Sequence, residues 1–486
     1  MSHPRTACEL SEQLESGEIS ARELVEESLD RMAAADGKVG AFLSTVDRDK
    51  LISVAEGVDR SRRRGEQASP FAGMPVAVKD NIAVAGQGLT CGSRILAEYV
   101  APYDATAVER LRAAGLIVVG KTNMDEFGFG SSTENSAFQL TRNPHDPNRI
   151  PGGTSGGSAA AVAAGFVPWA LGTDTGGSVR QPASLCGVVG FRPSYGRVSR
   201  YGLVAYASSM DQIGPFGSCV EDVAALLSIV MGPDPRDSTC LPERLESLSV
   251  ELPRLTVGIP GEYRTGDCDP AVLETLDSTV EAVERLGWRT ASVSLPLTPY
   301  ALSAYYLISS VEASSNLGRY DGVRYGHRTQ SGESWYDELS VTRTEGFGRE
   351  AKRRIMLGTF ASSSGYYDEF YDTARRARTL LAREFATAFE KVDLLLSPVS
   401  PSTAWEIGER TEDPLRMYLS DIFSVPVALA GIPAMVIPAG DDHDGLPVGM
   451  QLAGPALADD LVLSASRLLE GEIAYPRNRG LGPAFA

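Results

Sequence analysis

Residues 151–162 are Pro-Gly-Gly-Thr-Ser-Gly-Gly-Ser-Ala-Ala-Ala-Val, and residues 172–182 are Gly-Thr-Asp-Thr-Gly-Gly-Ser-Val-Arg-Gln-Pro. Paired glycines recur in both stretches, more often than ordinary loops require. Glycine permits a positive φ and lets the backbone come close to another group. Two chemical groups are candidates for this close approach. One is a phosphate bound by N–H groups at a helix start, and the other is a carbonyl oxygen that becomes negative during acyl transfer.

The acyl-transfer interpretation explains more of the pattern than the phosphate interpretation. Neither stretch matches Gly-x-x-x-x-Gly-Lys-Ser/Thr or Gly-x-Gly-x-x-Gly, the patterns of nucleotide-binding loops. Acyl transfer instead assigns Ser178 as the nucleophile. The backbone N–H groups that would then surround the developing oxyanion are those of Thr175, Gly176, Gly177 and Ser178.

A serine nucleophile needs a base, and histidine is not a good candidate here. The four histidines, at 3, 145, 327 and 443, match neither a metalloprotease helix motif nor a Gly-x-Ser-x-Gly elbow. Lys79 ends the apolar run 74–78, which is typical of a buried strand. Burial lowers the pKa of a lysine, so a neutral Lys79 could accept the proton. The hydroxyl of Thr154 or of Ser155 could relay it.

Composition excludes several functional classes. A net charge of −18 makes this chain alone a poor ligand for nucleic acid, which requires clustered Lys and Arg. Six widely spaced cysteines, without a Cys-x-x-Cys pair, indicate reduced thiols and no metal site. The sequence contains no run of 18 apolar residues, so it predicts no membrane span. The N-terminus does not resemble a secretory signal. We therefore expect a cytoplasmic protein without a membrane partner.

Helix and strand patterns alternate along the chain, which predicts an α/β protein with a central mixed sheet covered by helices on both faces. Helices are predicted to begin at Ser20, at Asp104 and at Asp269, and to cover 369–391 and 461–470. Strands are predicted at 74–78, 116–119, 392–396, 434–437 and 448–452. We expect one domain over 1–486, with an N-terminal helical segment at about 1–65, a catalytic core at about 66–240 and a C-terminal part at about 254–486. Residues 241–253 form at most a weak boundary.

The two glycine-rich stretches, together with Val78-Lys-Asp-Asn-Ile82, resemble the amidase signature family. The resemblance implies the fold of that family, a twisted mixed sheet with helices on both faces. It also implies a Ser-Ser/Thr-Lys triad, in which the lysine, the relay residue and the nucleophile fall on Lys79, Thr154 and Ser178. The family usually has serine at the relay position, so Thr154 is a departure, and Ser155 is the fallback.

Further segments are similar to the A subunits of the tRNA-dependent amidotransferases within this family. These segments extend the resemblance to nearly the whole chain: 120–127, 131–137, 195–203, 208–212, 312–317, 319–325, 352–355 and 417–421. One departure is Ala428, where these subunits often have asparagine.

This narrower resemblance implies that the substrate is glutamine, which presents an ammonium, a carboxylate and an amide. Asp421 and Arg354 would bind the two charged groups, with Tyr305 or Tyr306 beside them. Glutamine hydrolysis would supply ammonia for the amidation of Glu-tRNA(Gln), with Asp-tRNA(Asn) left open as a second acceptor. A partner B subunit would bind ATP and Mg and act on the aminoacyl-tRNA, a C subunit would brace the pair, and this chain would hold neither cofactor nor metal.

Three alternatives remain at this point. The chain could be a stand-alone amidase that acts on another small amide. It could be a catalytically silent scaffold that only binds partners, or a nucleotide-binding module, for which the sequence gives the least support.

Overall fold

The computed structural model describes residues 5–66, 69–242, 248, 252–264, 267–477 and 479–485. The strands of this part of the chain form one eleven-stranded sheet. They are β1 Phe42–Thr45, β2 Pro75–Lys79, β3 Ile117–Thr122, β4 Trp169–Asp174, β5 Val189–Arg192, β6 Gln212–Gly217, β7 Thr256–Pro260, β8 Arg289–Val293, β9 Leu394–Pro398, β10 Ala434–Asp441 and β11 Pro447–Ala453.

The strand order across the sheet is β1-β3-β2-β4-β6-β5-β10-β11-β9-β7-β8. Strand β2 runs parallel to β3 and β4, and β7 runs parallel to β8 and β9. The remaining pairs are antiparallel. The sheet is therefore mixed, as the sequence predicts, and it joins strands from both halves of the chain.

Helices cover both faces of this sheet, which confirms the predicted α/β class. They are α1 Ala7–Ser16, α2 Ala21–Val39, α3 Arg48–Arg63, α4 Thr106–Ala113, α5 Gly156–Ala163, α6 Arg180–Cys186, α7 Val220–Val230, α8 Pro270–Arg285, α9 Thr298–Leu317, α10 Trp335–Gly346, α11 Arg349–Ala361, α12 Thr373–Phe389, α13 Pro414–Leu419, α14 Val425–Ala430 and α15 Asp459–Ile473.

Local signals fix several helix starts. Ser20 caps α2, and its hydroxyl and the Glu23 carboxylate form the predicted capping box. Asp269 precedes Pro270 at the first position of α8, where the missing N–H costs nothing. The predicted start at Asp104 lies one residue before the N-cap of α4, which is Ala105. The Asp104 carboxylate accepts the N–H of Ala85 and does not cap the helix.

The predicted helix over 369–391 is shorter than expected, because residues Asp368–Asp372 form a π-helical turn before α12 begins. The strand predicted at 392–396 lies two residues later, as β9. The weak boundary at 241–253 falls largely outside the described residues, so the single-domain organisation stays a prediction.

The middle of the sheet places two chain segments side by side. Every residue of β2 and β4 is buried, and the two strands pair in parallel, so Lys79 and Asp174 end neighbouring strands at the same edge. Helix α5 starts beside them. A Cβ on Gly157 would lie 2.5 Å from backbone atoms of Asn123, so glycine lets this helix start approach the end of β3.

None of the helices within the described ranges is long and apolar enough to cross a membrane.

Candidate active site

The Lys79 side chain is fully buried among three hydroxyl groups. Its Nζ lies 2.7 Å from Thr154 Oγ1, 2.8 Å from Ser155 Oγ and 2.9 Å from Thr173 Oγ1. Asn81 Nδ2 donates to the same Thr173 oxygen at 3.1 Å. The structure thus brings the predicted base and both candidate relay residues into direct contact.

Burial lowers the pKa of Lys79 to about 7, although the nearby carboxylates of Asp125, Asp174 and Asp211 act in the opposite direction. Burial also raises the pKa of Asp125 and of Asp211 to about 6, so both carboxylates are mostly ionised at pH 7, and the Lys79 pKa of about 7 already includes their attraction. A substantial fraction of the Lys79 amine is therefore neutral near pH 7.

The two relay candidates differ in their other hydrogen bonds. Ser155 Oγ donates to the Thr173 carbonyl at 3.1 Å and accepts the Thr173 N–H at 3.2 Å. Within the described residues, Thr154 Oγ1 shares a hydrogen bond with Lys79 alone. The proton of the Thr154 hydroxyl is therefore free to point at the lysine, whereas that of Ser155 is already bound to a carbonyl. The Gly153–Thr154 peptide bond is cis.

Ser178 lies in the loop between β4 and α6 and is half-buried. Its carbonyl accepts the N–H of Ser155 at 3.2 Å, so the loop that carries the nucleophile candidate is joined to the start of α5. The carbonyl of Gly177 accepts the N–H of Gln181 at 2.8 Å. Across the described residues, the N–H groups of Gly177 and Ser178 have no protein acceptor, so both are available to a ligand.

Asp174 anchors the start of this loop. Its carboxylate accepts hydrogen bonds from Arg180 at 3.0 and 3.2 Å and from Arg192 at 2.9 Å, and all three side chains are fully buried. Burial alone would raise the pKa of Asp174, but the two guanidinium groups hold this pKa below its ordinary value. One residue later, the Thr175 hydroxyl donates to Asp211 at 2.7 Å.

The candidate ammonium ligand, Asp421, lies just before α14. Its Oδ2 accepts the Ser131 hydroxyl at 2.5 Å, and its Oδ1 has no hydrogen-bond partner in the described part of the chain. Burial raises the pKa of Asp421 to about 7, and Arg354 acts in the opposite direction. A substrate ammonium beside Oδ1 would favour the ionised carboxylate.

The candidate carboxylate ligand, Arg354, is buried on α11 between two aromatic rings. Its guanidinium carbon lies 4.3 Å from the ring centre of Tyr306 and 4.6 Å from that of Tyr418. The Nε donates to Glu350 at 2.7 Å, and Tyr418 donates to the same carboxylate oxygen at 2.7 Å. Its Nη1 donates to the Tyr206 hydroxyl at 3.4 Å, and its Nη2 has no hydrogen-bond partner among the described residues, so Nη2 is available to a ligand.

Both candidate tyrosines lie in this region, on α9. A Cβ on Gly176 would lie 2.7 Å from the Tyr305 hydroxyl, so Tyr305 covers the glycine-rich loop. Tyr306 packs against Arg354 and against the ring of Tyr418, 4.1 Å between ring centres. The structure therefore places Tyr305 beside the loop and Tyr306 beside the guanidinium.

The chain matches known proteins over almost all of its length. A family model described as Amidase matches residues 23–463. The chain is 50% identical over 478 residues, 98% of each chain, to the A subunit of glutamyl-tRNA(Gln) amidotransferase from Carboxydothermus hydrogenoformans. The chain belongs to the amidase signature family.

Solved structures of other amidases support the same family assignment. The A subunit of glutamyl-tRNA(Gln) amidotransferase from Thermotoga maritima has a TM-score of 0.80 and 42% identity, over 95% of this chain and 94% of that one. A peptide amidase of Stenotrophomonas maltophilia has a TM-score of 0.81 but only 27% identity, over 98% of each chain. This amidase thus shares its fold with enzymes named for different substrates, and its sequence is more similar to that of the amidotransferase protein.

Sequence reasoning missed several residues of this amidase that contact the predicted ones. Thr173, Ser131 and Asp211 all lie in segments that carry the family resemblance, but the sequence alone assigns no role to them. Glu350 lies two residues before the segment 352–355, and its i, i+4 spacing to Arg354 is a signal that could have indicated the ion pair.

The depressed pKa of Lys79 makes the stability of this amidase depend on pH. Above about pH 10.5, the ordinary pKa of lysine, the amine is neutral in both the folded and the unfolded chain. As the pH falls toward 7, only the unfolded chain gains the proton, so this group lowers the free energy of unfolding by about 1.4 kcal/mol per pH unit. We predict that wild type gains stability relative to Lys79→Met as the pH is raised from about 7.5 to 9.5, measured by urea unfolding.

The substitution also removes donors from three hydroxyls, but that loss is the same at every pH. Protonation of Lys79 is therefore reported only by the change with pH in the difference in unfolding free energy between wild type and Lys79→Met. Parallel stability curves for the two proteins over this range would show that Lys79 keeps an ordinary pKa in the folded state.

Proposed function

We propose that this chain hydrolyses the side-chain amide of glutamine and supplies the ammonia as the A subunit of a tRNA-dependent amidotransferase. The observation that carries the proposal is the buried Lys79 amine 2.7 Å from the Thr154 hydroxyl, beside the loop of Ser178. Such a pair can take a proton from a serine at neutral pH without histidine or a metal.

In the proposed acylation step, Ser178 Oγ attacks the amide carbon of glutamine. The serine proton passes to Thr154 while the Thr154 proton passes to the neutral amine of Lys79. The amide oxygen becomes negative and accepts hydrogen bonds from N–H groups of the loop, for which Thr175, Gly176, Gly177 and Ser178 are the candidates. The intermediate collapses when the Lys79 ammonium returns a proton through Thr154 to the leaving nitrogen, so ammonia departs and an ester on Ser178 remains.

Deacylation uses the same groups in the same order. Water attacks the ester carbon, and its proton passes through Thr154 to Lys79. The lysine then returns this proton to Ser178 Oγ as the carbon–oxygen bond breaks. Glutamate and ammonia are the products, and the enzyme ends in its starting protonation state.

Substrate recognition would rest on two side chains of opposite charge. Asp421 would bind the ammonium of glutamine through its unpartnered Oδ1, and Arg354 would bind the carboxylate through the Nη2 of its guanidinium. Tyr305 and Tyr306 would enclose the aliphatic part of the substrate between the loop and the guanidinium. An amide without both charges could not form these ionic contacts.

The partner assignment rests on the relatives named as the A subunit of glutamyl-tRNA(Gln) amidotransferase. A net charge of −18 suits a chain that leaves tRNA binding to another protein of the complex. We propose that a B subunit binds ATP, Mg and the aminoacyl-tRNA, that a C subunit braces the pair, and that the complex works in the cytoplasm. This chain would need no cofactor of its own.

Ammonia release from glutamine and from propionamide tests the proposed substrate. Propionamide carries the amide but neither charge, so it can form neither ionic contact in the transition state. We therefore expect kcat/KM for glutamine to be at least about 100-fold higher. The assay uses the chain alone and the chain co-purified with its B and C subunits. Ser178→Ala is the background control and should release no ammonia.

Equal or faster hydrolysis of propionamide by the chain alone would favour a stand-alone amidase. Unchanged ammonia release by Ser178→Ala in a clean preparation would refute the catalytic assignment and leave a binding role.

Substitutions at Thr154 and Ser155 test which of the two hydroxyls relays the proton. We predict that Thr154→Ala lowers kcat/KM by about 100- to 10,000-fold, the range for loss of a positioned proton-transfer group. Thr154→Ser should stay within about tenfold of wild type, because it keeps the hydroxyl. Ser155→Ala should lose less activity than Thr154→Ala, since the Ser155 hydroxyl mainly holds the backbone of Thr173. The reverse order of the two alanine variants would assign the relay to Ser155.

A further inference from the structure

Ser424 contacts the glycine-rich loop from a distant part of the chain sequence. It precedes α14 and is fully buried. Its hydroxyl donates to the carbonyl of Gly176 at 2.7 Å and lies 3.2 Å from the carbonyl of Asp421. Ser424 and Gly176 are 248 positions apart in the sequence, so this hydrogen bond joins the turn that carries Asp421 to the loop before Ser178.

The same contact explains a glycine in the loop. Gly177 has a φ of +146°, a conformation that other residues rarely adopt. A Cβ at this position would lie 2.2 Å from Ser424 Oγ. The loop therefore approaches Ser424 as closely as a backbone without a side chain allows.

The hydrogen bond sets the direction of a neighbouring N–H group. The carbonyl of Gly176 and the N–H of Gly177 belong to one planar peptide unit, and in a trans peptide they point in opposite directions. When Ser424 holds the carbonyl on its side, the Gly177 N–H must point away from α14. The bond from the Gln181 N–H to the Gly177 carbonyl fixes the Ser178 N–H in the same way.

We infer that Ser424 is a positioning residue for the oxyanion site: its hydroxyl orients the Gly176–Gly177 peptide so that the Gly177 N–H can stabilise the negative oxygen. The inference rests on the proposed acyl transfer at Ser178 and adds a residue that acts on it through the loop. Catalysis by oriented donors depends on their direction before the charge develops. Without the hydroxyl, this peptide could rotate, and its N–H would be aimed correctly for only part of the time.

Kinetics of Ser424→Ala on ammonia release test this role. Removing one oxyanion donor outright costs about 100- to 1000-fold in kcat, so loosening one should cost about 10- to 100-fold. KM should stay within about twofold of wild type, because the donor acts on the transition state. The apparent pKa of the pH–rate profile should not move, because Lys79 is untouched. Ser424→Cys keeps a weak donor and should have an intermediate kcat.

Ser28→Ala is the matched control. Ser28 is also buried, and its hydroxyl donates to the carbonyl of Phe166 at 2.5 Å, in a different part of the protein. The kcat of Ser28→Ala should equal that of wild type. Thermal unfolding of all variants shows whether each is folded. If Ser424→Ala does not fold, the kcat of Ser424→Cys is compared with that of wild type instead.

Two results would overturn the inference. One is a kcat of Ser424→Ala within twofold of wild type. The other is a raised KM with an unchanged kcat, which would place the effect of Ser424 on the Asp421 turn. Because an oxyanion forms with any amide, the loss should appear on whichever amide the wild type hydrolyses. Failure of glutamine as substrate therefore refutes the proposed function without deciding the role of Ser424.

Discussion

The burial of one amine among three hydroxyls is the constraint on which the rest of the site depends. Lys79 ends a fully buried strand and is itself fully buried, and desolvation lowers its pKa to about 7. The same pKa shift makes the folded state less stable near pH 7 than at pH 9.5. In the proposed mechanism, a neutral amine at this position is the base for the serine nucleophile. Of the two relay candidates, Thr154 keeps a hydroxyl proton that no other described residue binds, whereas Ser155 donates its proton to the Thr173 carbonyl.

Residues from both halves of the sequence hold the loop of Ser178 in place beside this amine. Asp174 binds Arg180 and Arg192, and Arg180 also donates to Gln451 on β11 at 3.0 Å. The amide of Gln451 in turn donates to the carbonyl of Phe423, next to Ser424. A continuous set of buried hydrogen bonds therefore runs from the loop of the nucleophile candidate, through the sheet, to the turn that carries Asp421. These buried hydrogen bonds hold the loop to both parts of the chain, while the Nε of Arg192 has no hydrogen-bond partner among the described residues.

The sequence predicted the fold class and the meeting of Lys79 with Thr154 and Ser155, because glycine-rich turns and an apolar run ending in lysine are local signals. The residues alone left Thr154 and Ser155 open, and only the family resemblance favoured Thr154, with Ser155 as the fallback. That choice depends on the backbone of Thr173, 18 residues from Ser155, and hence on how α5 packs against β4. Nor could the sequence choose between Tyr305 and Tyr306, since the rotation of α9 decides which ring faces the loop. Ser424 gave no signal, because its role lies in a contact across 248 residues.

Neutral Lys79 is the proposed base, and the pH dependence of kcat/KM for ammonia release tests this role most directly. Protonation of the amine removes the proton acceptor, so the rate should fall as the pH is lowered through the folded pKa. We predict that kcat/KM rises with pH, with an apparent pKa near 7, and becomes constant above it. A rate that is flat between about pH 6 and 9, or one that continues to rise toward pH 10, would contradict it.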